Sequence, residues 1–263
     1  MAEKLKPAKG LIQQHVSLQH FELNHYLPAT DLADFIEHYW VVSWDLVDKP
    51  AHTQQNLPHP SQHIVIDPQG QTGITGIKSG AFSYTLKGQG QVFGVKFWPG
   101  AFHCIYGRSV DELHNQCIPV NPLLKAENHQ LQQALIKADN ISHMIDYMQQ
   151  LLRHTNPQLD EKAKLSRQIV AYIEANKMML TVTELCEKFS IEQRSLQRLF
   201  KSYIGVSPKW VIDRYRIMDA LTNLNNGSNI NMTELAHDLG YFDQAHFNHT
   251  FKALTGLSPG KAK

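Results

Sequence analysis

A helical stripe of apolar residues lies near the C-terminal end of the chain, between Glu192 and Ile204. It consists of Leu196, Leu199, Phe200 and Tyr203, which recur at the spacing of one face of an α-helix. The opposite face is polar and cationic, and its members are Gln193, Arg194, Gln197, Arg198 and Lys201. Arginine and glutamine can bond two atoms of a base edge, so this face is a candidate DNA-reading surface. An ordinary solvated helix surface is the alternative.

The same pattern occurs a second time further along the chain. Leu196, Phe200, Lys201, Gly205, Ser207 and Pro208 are matched 51 positions later by Phe247, Phe251, Lys252, Gly256, Ser258 and Pro259. The second polar face carries Gln244, Ala245, Asn248 and His249. Upstream, the string TELC at 183–186 is echoed by TELA at 233–236, an offset of 50, so one residue has been gained between the helices of the second copy. Such a repeat indicates two copies of one supersecondary unit.

Each unit is predicted to be a helix-turn-helix motif. Short helices at 183–189 and 233–239 are followed by tight turns and then by the longer polar-faced helices, which is the arrangement that enters the major groove. Between the units, Ser207-Pro208 starts a helix that runs to about Leu224 and breaks at 225–228. A helix of about 18 residues is about 27 Å long, close to the rise of one DNA turn, about 34 Å.

These strings resemble the AraC/XylS family of bacterial transcription regulators. The matching segments are RSLQRLFKSYIGVSP, YRIMDALTNL and MTELAHDLGYFDQAHFNHTFKALTGLSP, within about residues 158–260. The resemblance implies base contacts from Arg194, Gln197 and Arg198 in the first unit and from Gln244, Ala245, His246, Asn248 and His249 in the second. Lys201, Lys252 and the helix starts are expected to bind phosphates. His249 stands where the family often has Arg, and the chain lacks the family's Tyr-Arg pair after Pro259, which predicts a shortened last helix.

The N-terminal half is predicted to be β-rich. Strand-like runs occur at 39–46, 64–66, 82–86 and 92–97, and the glycine-containing segments 73–76 and 88–90 are interpreted as turns between strands. The string FGVKFWPGAFHCIYGRSVDEL at 93–113 resembles the end of the cupin-like sensor domain of one AraC branch. Trp40, Trp44, Phe97 and Trp98 are candidates for lining an effector pocket, although core packing explains them equally well.

Two amphipathic helices are predicted at 121–138 and 141–154, and a third at 160–176. The stripe of the first is Leu124, Leu131 and Leu135, and that of the second is Ile141, Ile145, Met148, Leu151 and Leu152. These stripes could pair two subunits into a homodimer or pack against their own β domain. The predicted fold is therefore α+β in two domains: a cupin-like β-rich domain (1–120), a helical dimerisation or linker region (121–156) and an all-α DNA-binding domain (157–263) with helix-turn-helix motifs at about 182–204 and 232–255.

Composition narrows the remaining possibilities. The net charge is +1, and from Pro157 onward 14 Lys and Arg face 11 Asp and Glu, which is a weak electrostatic footprint for a nucleic-acid-binding protein. A cytoplasmic location away from the membrane is predicted, because the three cysteines form no C-x-x-C pair and the sequence has neither a signal-peptide pattern nor a long apolar run. The chain lacks the H-x-H pair of metal-binding cupins, so no metal, cofactor or catalytic site is predicted.

The sequence thus predicts a regulator that binds double-stranded DNA and responds to a small-molecule effector in its N-terminal domain. RNA polymerase would be a further partner if the regulator is an activator. One alternative is a ligand-independent regulator whose N-terminal domain only dimerises or docks another protein. A less favoured alternative is a metal-dependent cupin enzyme with a DNA-binding tail.

Overall fold

The computed structural model describes residues 10–176, 181–226 and 231–262 of the chain. Its N-terminal half is built on an antiparallel sheet of six strands in the order β1-β2-β7-β4-β5-β8, with a two-stranded sheet β3-β6 beside it. The strands are β1 (Glu22–Tyr26), β2 (Ile36–Leu46), β3 (His52–Asn56), β4 (His63–Ile66), β5 (Gly73–Thr75), β6 (Phe82–Leu86), β7 (Gly88–Phe97) and β8 (Cys117–Ile118). The predicted β-rich domain is confirmed, including the strand at 82–86.

The two faces of the six-stranded sheet bury different clusters. Tyr39 and Val41 of β2 belong to a large core that also contains the buried residues of the neighbouring helices. Alternate residues of β2 point the other way, and Trp44 joins a smaller cluster with Leu86 of β6. The sheet therefore carries helices on one face and the β3-β6 ribbon on the other.

The glycine segments predicted as turns are strands instead. Residues 73–75 form β5, and 88–90 open β7, so both turn predictions were wrong. The physical reason is close packing, since a Cβ on Gly73 would collide with the Ile118 carbonyl of the paired strand. A Cβ on Gly90 would collide with the Trp44 indole. Glycine within a strand often marks such a close approach.

Helices α1 (Gln14–Ser17), α2 (Ala101–Tyr106), α3 (Asn128–Lys137) and α4 (Ile141–Arg153) belong to the N-terminal half. The prediction that α3 begins at residue 121 was wrong, because Glu127 and Gln130 form a reciprocal capping box that starts the helix at Asn128. The apolar stripes of α3 and α4 are buried in their own domain's core, with Leu131 and Met148 fully inaccessible. These stripes follow the packing alternative.

The C-terminal half is helical, as predicted. It contains α5 (Glu161–Ala175), α6 (Val182–Lys188), α7 (Gln193–Leu199), α8 (Pro208–Asn226), α9 (Met232–Asp238) and α10 (Gln244–Thr255). Beyond α10, the part of the chain that the structure describes adds one short 3₁₀ turn, Pro259–Lys261. The helices share one hydrophobic core, which Ile12, Leu57 and Ile77 of the N-terminal half also enter. Among the residues that the structure describes, no helix is both long and apolar enough to cross a bilayer.

Candidate nucleic-acid interface

The first helix-turn-helix unit is fixed by local capping and by its buried stripe. Thr181 and Glu184 form a capping box at the start of α6. Ser190 has a φ of 49°, which reverses the chain after α6 and leads into α7. Leu196, Leu199 and Phe200 are buried, so the stripe turns the opposite face of α7 toward solvent.

The predicted reading residues of this unit lie on that exposed face. Arg194, Gln197, Arg198 and Lys201 are all exposed. Arg198 makes a long 3.4 Å hydrogen bond from Nη2 to the hydroxyl of Ser195 in the same helix. Lys201 Nζ lies 3.4 Å from the Asp111 carboxylate of the N-terminal half, an ion pair that the sequence did not reveal. The arginine and glutamine side chains are thus available to a duplex, whereas Lys201 is paired with Asp111.

The second helix of this unit, α7, changes its winding after Leu199. Residues Phe200–Ile204 form a π-helical turn, and the Gly205 N–H donates to the Phe200 carbonyl at 2.8 Å. Gly205 adopts a φ of 94°, which favours glycine, and a Cβ there would come within 3.1 Å of the Val110 carbonyl. The sequence placed the stripe from Leu196 to Tyr203 on one helix, and the structure divides it between α7 and this π-helical turn.

The second unit repeats this construction with its own caps. The Asn231 side chain accepts from the N–H groups of Thr233 and Glu234, and Asp243 accepts from the His246 N–H at 2.7 Å. Phe247 and Phe251 are fully buried. The exposed or half-buried predicted contacts are Gln244, Ala245, His246, Asn248, His249 and Lys252.

Two of these side chains are partly engaged within the protein. Gln244 Oε1 accepts a 2.9 Å hydrogen bond from the Thr233 hydroxyl, which holds the amide at the start of α10. The His246 ring meets the Tyr241 ring edge-on, with centroids 5.3 Å apart. The remaining predicted contacts are carried on the open side of the helix.

The linker helix α8 lies against the N-terminal half through Arg214. This residue is fully buried, its guanidinium lies over Trp210 (4.5 Å), and Nη2 donates to the Ser79 carbonyl at 2.9 Å. Within the described residues, Nε and Nη1 have no hydrogen-bond partner. Burial lowers the pKa of Arg214 to about 10. The sequence offered one overlooked signal, since Arg214 occupies a position on the apolar stripe of Val211, Met218 and Leu221.

Both helix-turn-helix units contact the N-terminal half. On the first unit, buried Gln62 donates from Nε2 to the Ile204 carbonyl at 2.8 Å. The His103 ring stacks on Tyr203 with centroids 3.9 Å apart. On the second unit, the Ala81 N–H donates to the Leu254 carbonyl at 3.1 Å.

The four aromatic residues predicted for an effector pocket are divided between two clusters. Trp40 and Trp44 belong to the cluster under the β3-β6 ribbon, and their indoles lie on Gly94 and Gly90 of β7, the neighbouring strand of the same sheet. Fully buried Phe97 packs on Phe102 in the helical core at 4.8 Å. Trp98 donates from Nε1 to the Ala33 carbonyl and stacks with the Arg167 guanidinium at 3.8 Å. The four therefore do not surround one common space.

A separate groove of about 610 Å³ opens between β8 and the start of α3. Its walls combine polar and apolar groups in about equal measure and include Gln71, Cys117, Ile118, Pro119 and Gln132. Burial raises the pKa of the Cys117 thiol, so this cysteine is held as the neutral thiol. Sequence reasoning missed the groove because its walls come from segments far apart in the chain.

A cluster of histidines lies beside Trp40 on the six-stranded sheet. The Trp40 indole N–H donates to His63 Nδ1 at 3.2 Å, and the His25 and His38 rings meet edge-on at 4.6 Å. Burial, reinforced by the charge of Lys96, lowers the pKa of His38 to about 2 and that of His63 to about 3. These rings are therefore neutral near pH 7. Within residues 10–176, 181–226 and 231–262, no three His, Cys, Asp or Glu side chains are grouped so as to hold a metal ion.

Comparison with known proteins supports this assignment of the two halves. Residues 185–263 match the model of a helix-turn-helix domain, and residues 24–119 match a domain of unknown function, DUF6597. The chain is 30% identical over 91 residues to the raffinose operon transcriptional regulatory protein RafR of Pediococcus pentosaceus, covering 34% of this chain and 32% of that protein. It is 32% identical over 105 residues to the HTH-type transcriptional activator RhaS of Salmonella arizonae, covering 38% and 36%. The chain thus spans about a third of the length of these curated relatives.

Among solved structures, a probable AraC family transcriptional regulator from Rhodopseudomonas palustris is 28% identical and covers 36% of this chain and 91% of its own, with a TM-score of 0.34. Because this TM-score is low, the description of the C-terminal part as a helix-turn-helix domain rests on the sequence matches and on the two capped helix-turn-helix units. Residues 185–263 therefore form a helix-turn-helix domain similar to those of the transcription regulators RafR and RhaS, and a β-rich domain that matches DUF6597 precedes it.

Proposed function

We propose that the chain is a transcription regulator that binds double-stranded DNA with sequence specificity. The observation that carries this proposal is the pair of recognition helices, α7 and α10, whose polar faces are open to solvent while their apolar faces share one core. In the proposed complex, Arg194, Gln197 and Arg198 read one major-groove segment. Gln244, His246, Asn248 and His249 read the next. Lys201 and Lys252 bind phosphates, which set the register without specifying sequence.

The length of α8 supports binding to one face of a duplex. Its 19 residues correspond to about 28 Å of helix, close to the rise of one turn of B-DNA, about 34 Å. Two recognition helices held at that separation can enter successive major-groove segments without wrapping around the duplex. Because phosphates are neutralised on binding, the affinity should fall as salt rises.

Selection of binding sites from random duplexes tests the proposal. The wild-type chain should select a defined consensus. The double variant Arg194→Ala/Gln197→Ala should lose about 1–3 kcal/mol at that site for each bidentate contact removed, and should relax the base preference there. Arg108→Ala is a matched control, since Arg108 is an exposed arginine of the N-terminal half. An unchanged consensus and affinity in the double variant would show that α7 does not read the bases.

We further propose that the N-terminal half is the sensor that governs how the two units are presented. Gln62 and His103 contact the first unit, Ser79 contacts the linker helix through Arg214, and Ala81 contacts the second unit. A change in the N-terminal half can therefore act on both units at once. A ligand shifts such an equilibrium only by its difference in affinity for the two arrangements.

A small-molecule effector would bind in the groove between β8 and α3 in this proposal. A thermal-shift screen of the full chain against small metabolites tests it. A ligand at 100 times its Kd should add about 2.7 kcal/mol of stability. Gln132→Ala, which alters a groove wall, should weaken any hit, whereas the distant exposed variant Val47→Ala should not.

The ligand-independent alternative is supported by a specific observation. The indoles of Trp40 and Trp44 lie directly on Gly94 and Gly90, which fills the space between the two sheets where an enclosed ligand would sit. In that case the N-terminal half acts by pairing with a second copy or by docking another protein, with RNA polymerase as a further partner of an activator. Because the α3 and α4 stripes are buried in their own domain, a homodimer would have to use another surface. Sedimentation of the full chain with and without operator DNA distinguishes monomer from dimer.

A further inference from the structure

The turn of the second helix-turn-helix unit contains one residue that the first turn lacks. In both turns the second residue after the first helix has a positive φ, 49° at Ser190 and 74° at Gly240. The following residues, Ile191 and Tyr241, each donate their N–H to the carbonyl five residues earlier, at 3.0 and 2.9 Å. The two turns are therefore equivalent up to this point.

The turns then diverge by a single insertion. In the first unit, Glu192 follows Ile191 directly and precedes the recognition helix. In the second unit, Phe242 stands between Tyr241 and the capping residue Asp243. Phe242 is therefore the residue gained in the second copy.

The inserted residue exposes its aromatic ring to solvent. Phe242 is 94% exposed, whereas Tyr241 is 4% exposed and packs in the core. Ile191, the equivalent of Tyr241, also packs against that core. The insertion therefore adds an apolar group to the surface without adding to the core.

The position of Phe242 selects its partner. A single exposed apolar side chain is ordinary on a protein surface. Phe242, however, lies one residue before the cap of α10, and the N-terminal residues of the second helix are those that contact base edges in helix-turn-helix docking. Ala245 and His246, in the first turn of α10, are exposed beside it. In the major groove, thymine presents a C5-methyl group that apolar side chains recognise.

We propose that Phe242 contacts a thymine methyl group at the edge of the segment read by α10, and so adds a base preference that the first unit cannot make. This inference rests on the proposed DNA-binding function. It assigns to the turn a role in specificity that is separate from the polar contacts of the helix face.

Replacing thymine by uracil tests this contact directly, since it removes only the methyl group. The full-length wild-type chain is first used to select a consensus from random duplexes. Its affinity is then measured by fluorescence anisotropy on the consensus and on duplexes with single thymine-to-uracil changes. The variants are Phe242→Ala, Phe242→Leu and the control Ile136→Ala, which truncates an exposed apolar residue of α3.

At one position near the α10 segment, the wild type should lose about fourfold in affinity on thymine-to-uracil replacement, the worth of one buried methyl-sized group. Phe242→Ala should bind both duplexes equally, while Phe242→Leu and Ile136→Ala keep the discrimination. All variants should melt like the wild type, because both changed residues are exposed.

Four results would overturn the inference. Equal thymine preference in the wild type and in Phe242→Ala would remove the base contact. A uniform loss of affinity with unchanged discrimination would assign Phe242 to the sugar–phosphate backbone instead. If the wild type selects no consensus at all, the proposed DNA-binding function fails together with this inference. If it selects a consensus that depends on Arg194 but not on Phe242, only this inference fails.

Discussion

Adding one methyl group at Gly94 tests whether the space between the two sheets is filled. Gly94 of β7 is paired with Trp40 of β2, and the indole lies across the glycine. A Cβ at position 94 would fall well inside van der Waals contact with three atoms of the indole. Gly94→Ala therefore requires Trp40 to move.

The loss in the free energy of unfolding that Gly94→Ala causes follows from these contacts. Overpacking of a filled site destabilises by about 1–3 kcal/mol. Displacing Trp40 also breaks its 3.2 Å hydrogen bond to His63, which contributes about 1 kcal/mol. Against this, alanine lowers the entropy of the unfolded chain and returns about 0.4–1 kcal/mol. The expected net loss in the free energy of unfolding is about 2 kcal/mol.

Urea denaturation followed by circular dichroism measures this loss, and Gly80→Ala is the matched control. A Cβ on Gly80 meets nothing within 4 Å, and its φ is not in the left-handed region. That variant should be unchanged or more stable by up to about 1 kcal/mol. The comparison isolates the contact with Trp40 from the general effect of replacing glycine.

Equal stability of Gly94→Ala and Gly80→Ala would refute the reasoning. It would mean that the indole does not rest on Gly94 and that the space between the sheets can admit a further group. The proposal of an effector site would then move from the surface groove to the interior beside Trp40 and Trp44.

Three further predictions concern charge. Burial holds the pKa of His38 at about 2 and that of His63 at about 3, so the unfolded chain takes up protons on these rings before the folded chain does as the pH falls below 6.5. The free energy of unfolding should therefore be at its full value above that pH and should decrease below it by up to about 1.4 kcal/mol per pH unit for each histidine. In urea titrations, His38→Gln should make this decrease with pH smaller. Arg214→Met should change the free energy of unfolding by less than about 1 kcal/mol, since the lost bond to a carbonyl is offset by removal of an unpaired buried charge; a loss several times larger would reveal a counter-ion. Asp111→Asn should raise DNA affinity about twofold at low salt by releasing Lys201, and an equal gain at high salt would contradict an ion-pair effect.

The helix-turn-helix half could be predicted from the sequence because its information is local and repeated. Apolar positions at helical spacing, the helix start at Ser207-Pro208 and the offset of 50 to 51 residues are visible without any knowledge of distant contacts. The same information also determined that Arg194 and Gln197 face away from the core, since a helix with a buried stripe exposes its other side.

Only the tertiary structure decided what lies opposite each buried group. Gly90 resembles a turn residue in the sequence, yet it is a strand residue, and the Trp44 indole from a strand almost 50 residues earlier covers it. The stripes of α3 and α4 could have served a dimer or a core, and the position of the sheet determined that they form a core. Arg214 is buried against Ser79, and Phe242 is left in solvent by one inserted residue. Sequence periodicity indicates which face of an element is apolar, but the partner of that face is fixed by packing between segments far apart in the chain.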